Sequence, residues 1–304
     1  MSVPYLDEAA VADVLRMEDL IPKMRQAMID YSAGRVEQPA RRILEVEKHG
    51  GYFGGMPAVS PEAMGAKLVS IYPENEQKGL DSHMALIALF DPVTGRPMVT
   101  MDGALITKMR TAAVTAVFID AVTAADVSTL AILGAGAQAR SHFDALSCVR
   151  QFDDVRIWNR TPARAVELAE KIGAHATSCE DAVRDADVVV AATASTEPVF
   201  DGSWLQPGAR VASVGWAGAD CGELDDKTMS GVIIVDSREG AQVESGNVRR
   251  SGAEIYAELG EILDGSKHVV QDATVVFESI GMACQDLAAA SLVMEKIVPQ
   301  ASLK

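Results

Sequence analysis

Ala131-Ile132-Leu133-Gly134-Ala135-Gly136-Ala137-Gln138-Ala139 is the stretch that decides the fold. An apolar run over residues 128–133 leads into it, and helical spacing over residues 137–149 leads out of it. Strand, G-x-G-x-x-A turn and helix in that order make a phosphate-binding corner, a far more specific signal than the glycines alone. Gly134 permits the tight turn, Gly136 lets the backbone approach a pyrophosphate, and Ala139 lets the helix close on the strand. Ala135, Ala137 and Gln138 complete the cradle, where the N–H groups that open the helix offer partial positive charge to phosphates.

Toward the C-terminus the same grammar continues. Strand-like runs at residues 154–158, 187–193, 210–214, 232–235 and 274–278 are interspersed with helical segments, beginning with residues 161–172. Strands alternating with helices predict a Rossmann-type, doubly wound parallel sheet over residues 119–283. A long helix at residues 282–298 is expected to pack back on the N-terminal part.

Toward the N-terminus the pattern differs. Residues 7–34 read as helical, with Gly34 as the stop, and residues 103–122 as a second helical stretch. Between them lie short β-like runs at 43–46, 65–72, 84–90 and 98–101, the last two joined by the turn chemistry of Asp91 to Pro97. These predict an α+β domain built on an antiparallel sheet, residues 1–118 with 284–304, beside the dinucleotide-binding domain. The fold class is therefore α/β, in two domains.

The chain has 304 residues and a net charge of −16. A field of that sign repels phosphate backbones and anionic lipid heads, which excludes nucleic acid and membrane surfaces as partners. An anionic cofactor must then be drawn in by local dipoles and a few placed cations. The four cysteines lie far apart and read as reduced, mostly buried thiols. The five histidines show no ligand spacing, so no metal is expected. No secretory leader or apolar span is apparent, and the cytoplasm is the expected compartment.

Cofactor choice is read at Ile157-Trp158-Asn159-Arg160-Thr161. An NAD site puts an acid about 20 residues past the glycines, on the ribose hydroxyls. Here Asn159 and Arg160 stand instead. Arg160 suits a 2′-phosphate and Thr161 offers a hydroxyl, so NADP(H) is preferred over NAD(H). Thr193, Val214 and Gly215, at the ends of later strands, are expected to line the same crevice.

A cofactor fold does not name a reaction. Three charged residues outside the glycine turn are candidates. Lys67 sits in Gly65-Ala66-Lys67-Leu68-Val69-Ser70, where composition alone puts it on the solvent face. Arg110, in a run almost free of other charge, suits either a carboxylate clamp or a helix-end salt bridge. Asp220 follows the strand ending near Gly215 and reads as a proton donor or acceptor, or as a turn former.

Thr107-Lys108-Met109-Arg110-Thr111-Ala112-Ala113 is similar to the hallmark of the ornithine cyclodeaminase/mu-crystallin family, and so are residues 91–97, 157–161, 251–260 and 279–283. Ser82-His83, Trp158 to Thr161 and Glu223-Leu224-Asp225-Asp226 resemble its ketimine reductase branch. The resemblance spans nearly the whole chain. It implies that Lys67, Arg110 and one of Arg41 and Arg42 hold the substrate carboxylate. It implies that Asp220 lies near the substrate nitrogen, and that His83, Thr111 and Ser279 line the nicotinamide side. It implies a homodimer built through the N-terminal sheet.

One departure is informative. Relatives that cyclise ornithine carry a Glu shortly before a Met-Pro, whereas Tyr52-Phe53-Gly54-Gly55-Met56-Pro57 has no acid. A cationic side-chain amine would be left unpaired there, at a cost of several kcal/mol. The expected activity is therefore an NAD(P)H-dependent reductase of small α-imino acids, such as Δ1-pyrroline-2-carboxylate or Δ1-piperideine-2-carboxylate. The alternatives are an ornithine cyclodeaminase, an alanine dehydrogenase, or a non-enzymatic ligand-binding protein of the same family.

Overall fold

The computed structural model describes residues 3–216, 218–270 and 272–297. The expected helix end at residue 298 and the domain tail to residue 304 lie outside the described residues. The chain divides into two compact units. One runs to Arg110 and resumes at Met282; the other is Thr111–Gly281. The boundary falls inside a continuous helix, Ala104–Val122.

The first unit is built on a six-stranded sheet. Its strands are β1 (Tyr5–Leu6), β2 (Arg42–Val46), β3 (Gly51–Val59), β4 (Met64–Ile71), β5 (His83–Phe90) and β6 (Pro97–Asp102), in the order β1-β6-β5-β4-β3-β2. All neighbours are antiparallel except β1 and β6. The expected antiparallel sheet is present with two additions, β1, which pairs parallel with β6, and β3. Three glycines and Pro57 hide its alternation, in which Gly54, Met56 and Ala58 are buried and Phe53, Pro57 and Val59 are exposed.

The N-terminal helical stretch is two helices, Glu8–Val14 and Met17–Ser32, not one. Arg16 makes the break, because its guanidinium donates to the carbonyls of Ala12, Asp13 and Leu15 and so closes the end of the first helix. The C-terminal helix Ala283–Ile297 packs against β3, β4 and β5 and against Met17–Ser32. Its residues from Ala283 to Val293 are all buried. A core position such as Leu287, fully buried, contributes roughly 2 kcal/mol.

The second unit carries an eight-stranded sheet. The strands are β7 (Thr129–Leu133), β8 (Asp154–Trp158), β9 (His175–Ala176), β10 (Val188–Ala191), β11 (Arg210–Ser213), β12 (Val232–Val235), β13 (Ile255–Glu258) and β14 (Val275–Glu278). Their order is β13-β12-β14-β11-β10-β7-β8-β9, and every pairing is parallel. From β7 the chain builds outward through β8 and β9, then returns to β10 on the other side. The β7–β10 pair is thus the switch point, where a doubly wound sheet opens its crevice. Leu130–Leu133, Val188–Ala191 and Arg210–Ser213 are buried throughout, as strands covered on both faces must be.

The cysteines depart from expectation. All four are free, but only Cys284 is buried; Cys148 is exposed and the other two are intermediate.

Candidate active site

In the first unit, strand alternation brings cations to the covered face of the sheet. Lys67 pairs in register with Met56 on one side and Ile87 on the other, and all three point inward. Lys67 is 2% exposed, so the solvent-face reading is wrong. The run around it is apolar because it faces the core, and the ammonium is kept there by an anion. Its Nζ lies 2.7 Å from a carboxylate oxygen of Asp286 and 3.4 Å from Thr107 Oγ1.

Arg110 joins the same group. Its Nε donates to the other Asp286 oxygen at 2.9 Å, and its Nη1 donates to Gln285 Oε1 at 2.8 Å. Gln285 Oε1 also accepts from the Met282 N–H. Arg110 thus forms a salt bridge, but not at a helix end: it sits mid-helix, buried, tied to the first turn of the C-terminal helix.

Register also separates Arg41 from Arg42. Arg42 lies in the row Arg42–Gly55–Leu68–Leu86, on the uncovered face. Arg41 precedes it by one residue and so faces the Lys67 side. Its charge acts on Lys67.

The electrostatics follow. Burial pushes the Lys67 ammonium down to about 8; Asp286 resists the fall, and Arg110 and Arg41 add to it. For Asp286 burial works upward, but Arg110 and Lys67 outweigh it and hold the carboxyl below the usual range. Burial, then the charges of Lys67 and Arg110, lower His83 to about 4. His83 opens β5 on the same inward face and is neutral at physiological pH.

In the second unit the glycine turn follows β7 as expected. Gly134 has φ 127°, and a Cβ there would stand 2.4 Å from the carbonyl oxygen of Ala192, so no other residue fits. A Cβ on Gly136 would meet nothing within 4 Å. The helix Ala137–Ser147 begins with no side-chain cap and no acid in its first turn. Open space before unsatisfied N–H groups, with no competing carboxylate, fits a pyrophosphate.

Beside the turn, the Gly134 N–H donates to Trp158 O at 2.7 Å, which sets Asn159, Arg160 and Thr161 next to the cradle. Asn159 Nδ2 donates to Thr161 O at 3.0 Å, and Arg160 is exposed. Thr193 follows β10, and Val214 follows β11 with its N–H on Ala191 O. Thr111 is buried on the helix Ala104–Val122. Ser279 is buried, its hydroxyl donating to Asp236 at 3.3 Å. Asp220 is exposed and paired with Arg249 at 3.0 Å.

Asp286, Gln285 and Thr107 were not foreseen, nor was Glu223, buried beneath Thr193 and Gly215. Asp286 did leave a signal. It is the one charged residue between Ala283 and Met294, in a helix buried from Ala283 to Val293, and a buried acid has to be paired.

Residues 5–301 match the model of the ornithine cyclodeaminase/mu-crystallin family. The chain belongs to this family. Rat ketimine reductase mu-crystallin is 42% identical over 301 residues, 96% of each chain. The Δ1-pyrroline-2-carboxylate reductase of Bacillus cereus is 30% identical over 305 residues, 94% of each. Among solved structures, Δ1-pyrroline-2-carboxylate reductase of Thermococcus litoralis, in complex with NADH and L-proline, superposes with a TM-score of 0.92 at 34% identity, covering 97% of both chains. As an ornithine cyclodeaminase/mu-crystallin family member, the protein thus carries a buried cation cluster in one unit and a glycine turn open to phosphate in the other.

Proposed function

We propose that this protein is an NAD(P)H-dependent ketimine reductase, which converts small cyclic α-imino acids such as Δ1-pyrroline-2-carboxylate and Δ1-piperideine-2-carboxylate to the L-amino acids proline and pipecolate. The observation that carries the reading is the cluster of Lys67 and Arg110 around Asp286. Of the charges acting on Lys67, one is negative and two, Arg110 and Arg41, are positive. The excess positive charge suits a substrate carboxylate, and a buried site makes that attraction far stronger than it is in water.

The roles divide as follows. Arg110, Lys67 and Arg41 hold the carboxylate, and Asp286 keeps the two buried cations spaced to receive it. Lys67, lowered to about 8, keeps its proton at neutral pH and is also the cation of the cluster best able to part with one. Asp220 is assigned to the substrate nitrogen; a cationic iminium replaces Arg249 as its partner. Neutral His83, with Thr111 and Ser279, is assigned to the nicotinamide side. The glycine turn, Asn159, Arg160, Thr161, Thr193 and Val214 hold the rest of the dinucleotide. When bound, the reduced nicotinamide supplies the hydride. Arg160, with no acid at that strand end, favours NADPH over NADH.

The uncovered face of the first sheet supports a homodimer. Leu44, Phe53, Leu68, Met84 and Leu86 share that face and are all more than a third exposed. A contiguous apolar patch of this kind marks an interface, and a second copy is the partner assigned. Among the described residues, no helix is long and apolar enough to cross a membrane. Four free thiols suit a reducing compartment, and the cytoplasm is the assigned location.

A substrate panel tests the function. NADPH oxidation with both cyclic imino acids is expected, without NAD reduction by alanine and without proline formation from ornithine. Activity only with alanine or only with ornithine would reassign the enzyme within its family. No turnover of any of these would remove the enzymatic reading.

A further inference from the structure

We infer that Glu223 is a positioning residue for the cofactor, because its carboxylate ties together the two strand ends beside the glycine turn. The inference rests on the cofactor reading above. Glu223 is 2% exposed, and it lies in a loop, outside any helix or strand. One of its oxygens accepts from the Thr193 N–H at 2.9 Å and the Thr193 hydroxyl at 2.6 Å. The other accepts from the Gly215 N–H at 2.8 Å and the Ser213 hydroxyl at 2.9 Å. Thr193 follows β10 and Gly215 follows β11, so a single side chain clasps the ends of two adjacent strands.

The clasp reaches the phosphate cradle in one further step. Ala192, the residue before Thr193, presents the carbonyl on which Gly134 closes; a Cβ at 134 would meet it at 2.4 Å. On the other side, a Cβ at Gly215 would stand 2.1 Å from Thr193 O and 2.6 Å from the Glu223 carboxylate. Fixing Thr193 therefore fixes the floor under the turn. A positioning residue of this kind acts through groups that touch the ligand, as the outer partners of metal ligands do.

The chemistry of the donors explains the residue type. All four bonds named here are accepted by Glu223, and an ionised carboxylate is an acceptor-only group with room for them. A glutamine amide would set its own N–H groups against N–H and O–H donors. The charge is managed nearby. Ser213 Oγ accepts from Asn247 Nδ2, which also donates to Glu278, and the Ser245 hydroxyl donates to the other Glu278 oxygen. Burial raises both acids; Glu278 is pushed up to about 7, with the Glu223 charge contributing. The hydrogen bonds from Thr193, Gly215 and Ser213 favour the ionised, acceptor-only form of Glu223 against that burial.

The test compares wild type, Glu223→Gln and Ser213→Ala. The Kd for NADPH is read by fluorescence titration of the folded protein, with separate KM values for NADPH and for Δ1-pyrroline-2-carboxylate. Glu223→Gln is expected to weaken NADPH about tenfold or more, and Ser213→Ala about threefold, with the KM for the imino acid within about twofold of wild type. A general loss of packing would move both KM values together. If Glu223→Gln does not fold, Ser213→Ala, which deletes one donor and keeps the carboxylate, carries the test alone. Variants that bind NADPH as tightly as a wild type that does bind it overturn the inference. A wild type that binds neither NADPH nor NADH removes the cofactor reading, and this inference with it.

Discussion

Asp286 reaches Lys67 across 2.7 Å, and both side chains are closed off from water. A buried pair of this kind is not a source of stability in itself, since desolvating the ions costs about as much as their attraction returns. Its consequence here is chemical. It keeps a lysine charged inside an apolar sheet, with Arg110 on the second oxygen of the same carboxylate.

Removing the anion should therefore be costly. Asp286→Ala leaves two buried cations facing each other and is expected to lose about 3–5 kcal/mol in urea unfolding. The more conservative Asp286→Asn should fold, yet lose at least about a hundredfold in kcat/KM for the imino acid, because Lys67 and Arg110 are no longer held apart at a fixed spacing. Normal activity in a folded Asp286→Asn protein would show that the spacing is irrelevant.

The lowered ammonium of Lys67 sets a pH dependence. The group is charged below about 8 and loses its charge above it, where an ordinary lysine would remain charged to about 10.4. The KM for the imino acid should be flat up to about pH 8 and then rise, approaching about tenfold per pH unit. In Lys67→Arg, whatever its absolute activity, that rise should vanish over the same range. An unchanged profile would detach Lys67 from carboxylate binding.

The proposed preference for NADPH rests on an exposed arginine, Arg160. Arg160→Asp should raise the KM for NADPH by about a hundredfold while changing that for NADH by less than about fivefold, since an acid repels a 2′-phosphate and accepts ribose hydroxyls. Equal effects on the two cofactors would leave Arg160 as a solvated strand-end residue.

The uncovered sheet face predicts the assembly state. Leu68 and Leu86 are directly paired across β4 and β5 on that face. Leu68→Glu places a charge in the centre of the apolar patch and should yield monomers in sedimentation velocity at micromolar concentration, while wild type sediments as a dimer. A wild-type monomer would end this assignment.

Much of the fold is readable from residues because it depends on local grammar. Six strands of the parallel sheet are short apolar runs, and the glycine turn has one conformation open to it. The edge strands β9 and β13 are not readable so, because His175–Ala176 and Ile255–Glu258 lack such a run. β3 is not readable in that way, because Gly51, Gly54, Gly55 and Pro57 look like loop residues until β2 and β4 lie on either side. The site is harder for a different reason. Arg110 and Asp286 are 176 residues apart, and nothing near either one announces the other. Lys67 misleads on composition because a buried charge and an exposed one have the same sequence; only the partner distinguishes them. Glu223 stands next to Asp225 and Asp226, in what reads as an acidic surface turn, yet its carboxylate points inward to four donors. Arg41 and Arg42 are separated only by register, which one residue inverts.

The most direct measurement compares kcat/KM for Δ1-pyrroline-2-carboxylate with that for Δ1-pyrroline, the same ring without its carboxylate, in wild type and in Lys67→Ala. Wild type should prefer the acid by about a thousandfold or more, and Lys67→Ala should lose most of that preference while still binding NADPH. A wild type that reduces both rings equally well, or a Lys67→Ala enzyme that keeps full discrimination, would contradict the account.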